Sequence, residues 1–419
     1  IKNNAIFVYL LIFLIFSRSF YESVMIRNIA FFIFVNLLVL SDVVAQEQEH
    51  TNNRFFNNFV FRYDYLEGRI VKVYPSQPET GKTSYHNFNF LWQADGSKAW
   101  QADFGYPEYG VNLILGNHGN DSIMGHSVGL FPNMLLKIRN EKMWGFYFKL
   151  GSGFAWFFKP YDRIKNPGNI IIGSHLVNVT YLGFNAFVKL GSHFDIHGGY
   201  SLIHYSSGHV SIPNVGSNDF PWNIGVAYKP VKTRIDKRRW VDTSSKPIMF
   251  NIRVGLGFHE MSGTVNPNGG PVYPIYAIAP YLSKRFGRAG NLHLGLYILY
   301  YAGYYDFIKS EEHFLGKERV NSYVISALFG REWLISHLSL LVEPAINFYN
   351  PFFQKIYIDD NPDANTTWKV KRWIGLRAGF MYYTLDKAKY PKLNPAIGLF
   401  IKTNRDQADY VEMSVSCGL

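Results

Sequence analysis

Cysteine is almost absent: one, Cys417, in 419 residues. That excludes a disulfide scaffold and any cysteine-based zinc cluster. Charge is scarce as well. Asp, Glu, Lys and Arg make up 17% of the chain, against roughly 25% in an ordinary soluble domain. Aromatic residues also reach 17%, which excludes a disordered chain of low hydrophobicity. After Ala45 there is no run of about 18 consecutive apolar residues, so no helix is predicted to cross a membrane there. Such a length suits two or three soluble domains or one large β-barrel. The 42 basic residues outnumber the 31 acidic ones, for a net charge of +11. An acidic partner follows: nucleic acid, phospholipid or lipopolysaccharide.

Two apolar stretches open the chain, Ala5–Phe16 and Ile29–Leu40, each short of the roughly 20 residues of a membrane span. The second follows Met25-Ile26-Arg27 and ends in Val43-Val44-Ala45. A positive start, an apolar middle and a small-residue cleavage site make an export signal. Residues 1–45 are therefore expected to be upstream residues and signal peptide, starting at Met25 and cleaved after Ala45. A two-helix membrane anchor is the alternative. Gln46, not Cys, follows the cleavage site, which excludes a lipoprotein anchor. Export also argues against nucleic acid as the partner.

From Phe59 onward the pattern is one of short strands. Partial period-two alternation occurs in Phe59–Tyr65, Tyr147–Phe154, Val177–Lys189, Phe194–Ser206 and Trp222–Lys229. It continues in Met249–His259, Ile275–Lys284, Leu292–Tyr301, Tyr323–Arg331, Leu338–Phe348, Ile374–Tyr383 and Ala396–Lys402. Turn-forming clusters such as Asn166-Pro167-Gly168-Asn169 lie between them. Many segments end in Tyr or Trp, as the aromatic girdles of a membrane barrel require. The expected fold is all-β: an antiparallel transmembrane β-barrel of about 12–14 strands, even in number, in the bacterial outer membrane. Residues 46–230 and 247–419 are expected to contribute to one barrel, joined by a basic stretch at 231–246. An exported soluble β-sandwich is the alternative.

One segment stands apart, Leu202-Ile203-His204-Tyr205-Ser206-Ser207-Gly208-His209, followed by Pro213-Asn214-Val215-Gly216. In a strand ending at Ser206, His204 and Ser206 share a face about 7 Å apart along the backbone. That face also carries Ile196, Tyr200 and Leu202, the more apolar set. The pair is thus expected to look outward into lipid, where polar groups are costly and tend to be functional. Hydroxyl and imidazole in reach of one another are the minimum for nucleophilic catalysis, though a chain with 13 His produces such pairs by chance. His175, His193, His197 and His209 show no regular metal-ligand spacing, so no metal and no cofactor are expected.

The whole segment, His-x-Ser-x-Gly and then Pro-Asn-x-Gly, resembles the outer-membrane lipid A 3-O-deacylases, the PagL family of acyloxyacyl-hydrolase-like barrels. Ile172-Gly173-Ser174-His175-Leu176 and Tyr106–Val111 resemble the longer Bacteroidetes members. The resemblance covers about residues 57–230 and implies a serine esterase that removes the 3-linked hydroxyacyl chain from lipid A, with lipopolysaccharide as substrate. It implies Ser206 as nucleophile, His204 as base, and Asn214 with the backbone N–H of Ser207 as the oxyanion hole. The family's acidic position falls on Asn218, a departure: Asn can fix the His tautomer but brings no charge. Asp219 is expected to point to the opposite face. A barrel that retains the motif without catalysis, as channel, adhesin or structural protein, is the alternative. The basic run Lys229–Arg239 is expected to be a solvated periplasmic loop, with a lipopolysaccharide phosphate clamp as its alternative.

Overall fold

The computed structural model describes residues 57–231, 233–237, 247–261, 268–287, 289–386, 393–404 and 407–418. The export signal expected at 1–45 and most of the basic stretch at 231–246 lie outside these residues. The first half of the chain supplies β1 (Phe59–Gly68), β2 (Thr83–Gln93), β3 (Glu108–Asn117), β4 (His126–Asn140), β5 (Trp144–Phe157), β6 (Leu176–Leu190), β7 (Phe194–Ser206), the three-residue β8 (Ser217–Asp219) and β9 (Trp222–Tyr228). The second half supplies β10 (Ile248–Glu260), β11 (Val272–Arg285), β12 (Gly290–Tyr301), β13 (Tyr323–Ile335), β14 (Leu338–Tyr349), β15 (Ile374–Tyr383), β16 (Ala396–Asn404) and β17 (Gln407–Gly418).

All neighbouring strands pair antiparallel, and the all-β barrel class is as expected. Its division is not. β1 pairs with β9 from Phe61↔Tyr228 to Glu67↔Trp222, and β9 pairs with β7, which closes the first half on itself. β10 pairs with β17 from Asn251↔Gly418 to Phe258↔Val411 and closes the second. The molecule therefore has two eight-stranded barrels in place of the single barrel of 12–14 strands. Each half satisfies its own edge strands, so neither needs the other's hydrogen bonds. β2, β3, β4, β17 and the three-residue β8 are the strands absent from the sequence-based set. In β2 the inward residues include Asn87 and Asn89, both buried, and polar residues on the inner face blur the usual apolar-in alternation. β4 is interrupted in pattern by Pro132, and β17 sets the buried Glu412, Ser414 and Ser416 between Val411, Met413 and Val415.

Both barrels are apolar outside and charged within. Along β10, Phe250, Ile252, Val254, Leu256 and Phe258 are exposed, while the alternate residues Asn251, Arg253 and His259 are buried. Inside the first barrel, Asp64 accepts from Asn87 (2.9 Å) and Asn89 (3.0 Å) and bonds His197, and Arg62 pairs with Glu108 at 2.8 Å. Inside the second, Glu343 accepts from Arg253 and Arg377, each at 2.7 Å, and Arg377 reaches Glu412 at 2.6 Å. Buried charge is tolerable here because each group has a partner. The side chains fill the small barrels, as expected for eight strands.

Strand alternation puts the connections 69–82, 118–125, 158–175, 207–221, 302–322 and 350–373 at one end, and the connection 94–107 with the turns 141–143, 191–193 and 336–337 at the other. In outer-membrane barrels the longer connections are extracellular. Short helices, Ala302–Ser310 and Thr366–Trp373, occupy that outer end of the second barrel. Nearby, Tyr276, Tyr300 and Tyr323 make a row of rings with centroids 6.3 and 5.1 Å apart, part of an aromatic girdle.

Candidate active site

β7 is anchored from inside the barrel. Ile203 and Tyr205 point inward and are fully buried. The Tyr205 ring lies 5.1 Å from Phe157 and 5.4 Å from His118. Beside it, β8 adds a short ladder, with Ile203 opposite Asp219 and His204 opposite Asn218. Asp219 faces inward as expected and accepts from the Tyr85 hydroxyl at 2.7 Å. With the inner face tied down, the outer face of the strand end is held by default.

On that outer face, Ile196 and Tyr200 are exposed and His204 is half-buried. His204 thus shares the more open face of the strand with Tyr200, whereas Ser206, expected on that same outward face, is buried. His204 Nδ1 lies 2.8 Å from Asn218 Oδ1. The amide oxygen accepts only, so Nδ1 carries the proton and Nε2 is the free acceptor. The cross-strand register of β8 produces this pairing directly.

Ser206 is buried, and its Oγ is held by two donors: Asn214 Nδ2 at 3.0 Å and the Gly208 N–H at 3.0 Å. No hydrogen bond joins Ser206 to His204 among the described residues. Both side chains lie beside Gly216. A Cβ built on Gly216 would stand 3.3 Å from His204 Cε1 and 3.9 Å from Ser206 Cβ. Gly216 has φ +75°, so glycine is required there by backbone conformation as well as by space.

The Ser207 N–H, expected as an oxyanion donor, is occupied. It donates to Asn214 Oδ1 at 2.9 Å, which turns the Asn214 amide so that Nδ2 faces Ser206. The backbone donor beside Ser206 Oγ is that of Gly208, at φ +65°, where the chain reverses after the strand. Sequence reasoning missed Gly208 as a donor although the Gly of His-x-Ser-x-Gly marks the place.

Neighbouring loops brace the segment. Gly216 N–H donates to Ile171 O at 3.0 Å, and Ser211 Oγ donates to Gly173 O at 2.8 Å. A Cβ on Gly173 would come within 2.4 Å of Pro213 O, so only glycine lets the loops meet. Asn169 Oδ1 accepts from the N–H groups of Ile171 and Ile172 (3.2 and 3.1 Å). His175 stacks on Trp156 at 4.9 Å, and His197 lies in the barrel interior against Asp64. Among the described residues no group of three or more His, Cys, Asp or Glu is placed to hold a metal ion.

No protein-family model matches the chain, and no curated protein matches it by sequence. Solved structures with a distant likeness include an outer membrane channel. CdiB from Acinetobacter baumannii is 10% identical over 86% of this chain and 60% of its own, with a TM-score of 0.18. An outer membrane channel from Pseudomonas putida F1 is 8% identical over 86% of this chain and 94% of its own, with a TM-score of 0.17. Pseudomonas aeruginosa OccK11 is 8% identical over the same two shares, with a TM-score of 0.18. The chain thus spans less than two thirds of CdiB. The architecture stands on strand pairing rather than on these overlays. Closed antiparallel barrels with apolar exteriors and polar interiors belong to the bacterial outer membrane. This protein is one of them.

Proposed function

We propose that the first barrel is a serine esterase acting on an acyl ester of lipid A, and that it removes the 3-linked hydroxyacyl chain. One observation carries this. At the outer end of β7, a buried Ser206, a tautomer-fixed His204 and two donors that converge on Ser206 Oγ lie around Gly216. In the substrate complex Ser206 Oγ turns to His204 Nε2, since such bonds tighten only when substrate is present. Nε2 takes the hydroxyl proton as Oγ attacks the ester carbonyl. The oxyanion is stabilised by Asn214 Nδ2 and the Gly208 N–H, and the imidazolium returns the proton to the leaving sugar oxygen. Water then attacks the acyl carbon as it gives a proton to His204 Nε2, and the bond to Ser206 breaks as His204 returns that proton to Oγ, releasing the acid. The resemblance of the His-x-Ser-x-Gly segment to the lipid A 3-O-deacylases supplies the substrate class.

A second reading is a barrel that keeps this arrangement without turnover. It is favoured by the absence of a Ser206–His204 hydrogen bond and by Asn218 standing where that family has an acid. Of its forms, a structural or adhesive role suits the filled barrels better than a channel. Mass spectrometry of lipid A from cells lacking the gene, and from cells carrying the gene or its Ser206→Ala variant, separates the two. Loss of one hydroxyacyl chain only with intact Ser206 supports the esterase. Identical lipid A in all three excludes it.

A further inference from the structure

The loop that carries Gly208 and Asn214 is held from outside its own barrel. Glu260, the last residue of β10, is buried. Its backbone N–H donates to His209 O at 3.0 Å. Its carboxylate Oε2 accepts from the Ile212 N–H at 2.9 Å, and Oε1 accepts from the Gly270 N–H at 2.8 Å. Two bonds thus tie residues 209 and 212 to the end of β10, and a third holds the Glu260 carboxylate to the loop that follows that strand. Val411 of β17 presses on the same loop. A Cβ on Gly208 would come within 2.4 Å of its Cγ2, and Gly208 is the residue whose N–H meets Ser206 Oγ.

We infer that Glu260 is a positioning residue: the second barrel clamps the 207–214 loop and so sets the two donors that face Ser206. The chemistry fits the task. A carboxylate accepting two backbone N–H groups makes charge-assisted bonds, roughly twice as strong as neutral ones. Its anchor is the end of a strand in a closed barrel. The clamped residues lie between Gly208 and Asn214, so slack there moves both donors at once. Nothing in the first barrel replaces the contact with Ile212 N–H. The second barrel then has a purpose that its filled interior does not suggest: it completes a site on its neighbour.

The catalytic half of this inference rests on the proposed esterase, whereas the clamp itself is independent of it. The test uses the full chain in detergent or bilayers, with Glu260→Ala and the isosteric Glu260→Gln, which keeps one acceptor oxygen. Amide exchange of the peptides covering 207–214 reads the clamp directly. Deacylation of lipid A, with kcat and KM separated, reads its consequence. Faster exchange at 209–212 in E260A is expected, with kcat lower by on the order of 10²-fold and KM little changed. E260Q should fall between E260A and wild type in both. Exchange as slow as wild type in either folded variant overturns the clamp. Faster exchange with unchanged kcat overturns the positioning role. A wild-type protein with no Ser206-dependent deacylation overturns the esterase, and exchange still decides whether Glu260 holds the loop.

Discussion

His204 Nδ1 and Asn218 Oδ1 face one another at 2.8 Å across the β7–β8 ladder. The contact orients the imidazole without bringing a negative charge to it. Asn218→Ala should therefore lower kcat while leaving lipid binding in place. Asn218→Glu should give activity equal to or above wild type, because an anion beside the imidazolium stabilises it as it forms. If Asn218 only turns the chain, both variants will unfold early yet turn over normally when folded. Deacylation rates set beside thermal unfolding distinguish these outcomes.

His204→Ala should abolish deacylation while the barrel still folds and resists heat in detergent. In the wild type, activity should fall as the pH is lowered, because only neutral imidazole can take the Ser206 proton. A pH–rate profile that is flat on the acid side, or a H204A variant with wild-type rate, would exclude the mechanism.

Val254, exposed midway along β10, tests which solvent surrounds the second barrel. If lipid does, Val254→Arg should destabilise it by about 2–4 kcal/mol in bilayers, the cost of a cation near the midplane. On a soluble β-sandwich the same surface change would be worth within about 0.5 kcal/mol. Urea unfolding in lipid vesicles reads the difference.

His118 lies just past the end of β3, stacked on Phe157 at 4.6 Å with Nε2 2.8 Å from Ser127 Oγ. Burial lowers its pKa to about 3, with the nearby His126 adding to the effect. The unfolded chain takes up a proton below its ordinary value near 6.5, and the folded one does not until about 3. Stability is thus complete above pH 6.5 and is lost as pH falls toward 3, by up to about 1.4 kcal/mol per unit. His118→Gln keeps a donor for Ser127 and cannot titrate. Its unfolding midpoint should be less steep in pH than the wild type's over this window, and equal slopes would contradict the assignment.

The barrel class was legible because lipid forces alternation on every outward position, and segments such as Phe194–Ser206 coincide with observed strands. Closure was not legible. Which strand pairs with β1 depends on hydrogen bonds between Phe61 and Tyr228, and no local pattern carries that. Within the site, the face shared by His204 and Ser206 follows from period two, and Asn218 from its place in the segment. The donor set was only half legible. Whether the Ser207 or the Gly208 N–H meets Ser206 depends on the φ of +65° at Gly208, a choice that Asn214 settles by taking the Ser207 N–H. The Glu260 contact joins residues 48 apart, in different barrels, and leaves no trace in either segment.

Each barrel closes with strands drawn wholly from its own half, the first at the β1–β9 seam and the second at the β10–β17 seam. The consequence concerns biogenesis. Exposed strand edges invite aggregation until they are paired. A single sixteen-stranded sheet would keep its outermost edges open until the last strand arrived. Here the first seam can shut once Tyr228 is in place, and only the second half then remains at risk. Assembly thus divides into two short vulnerable intervals, and the longest wait for a partner strand is set by half of the chain rather than by all of it.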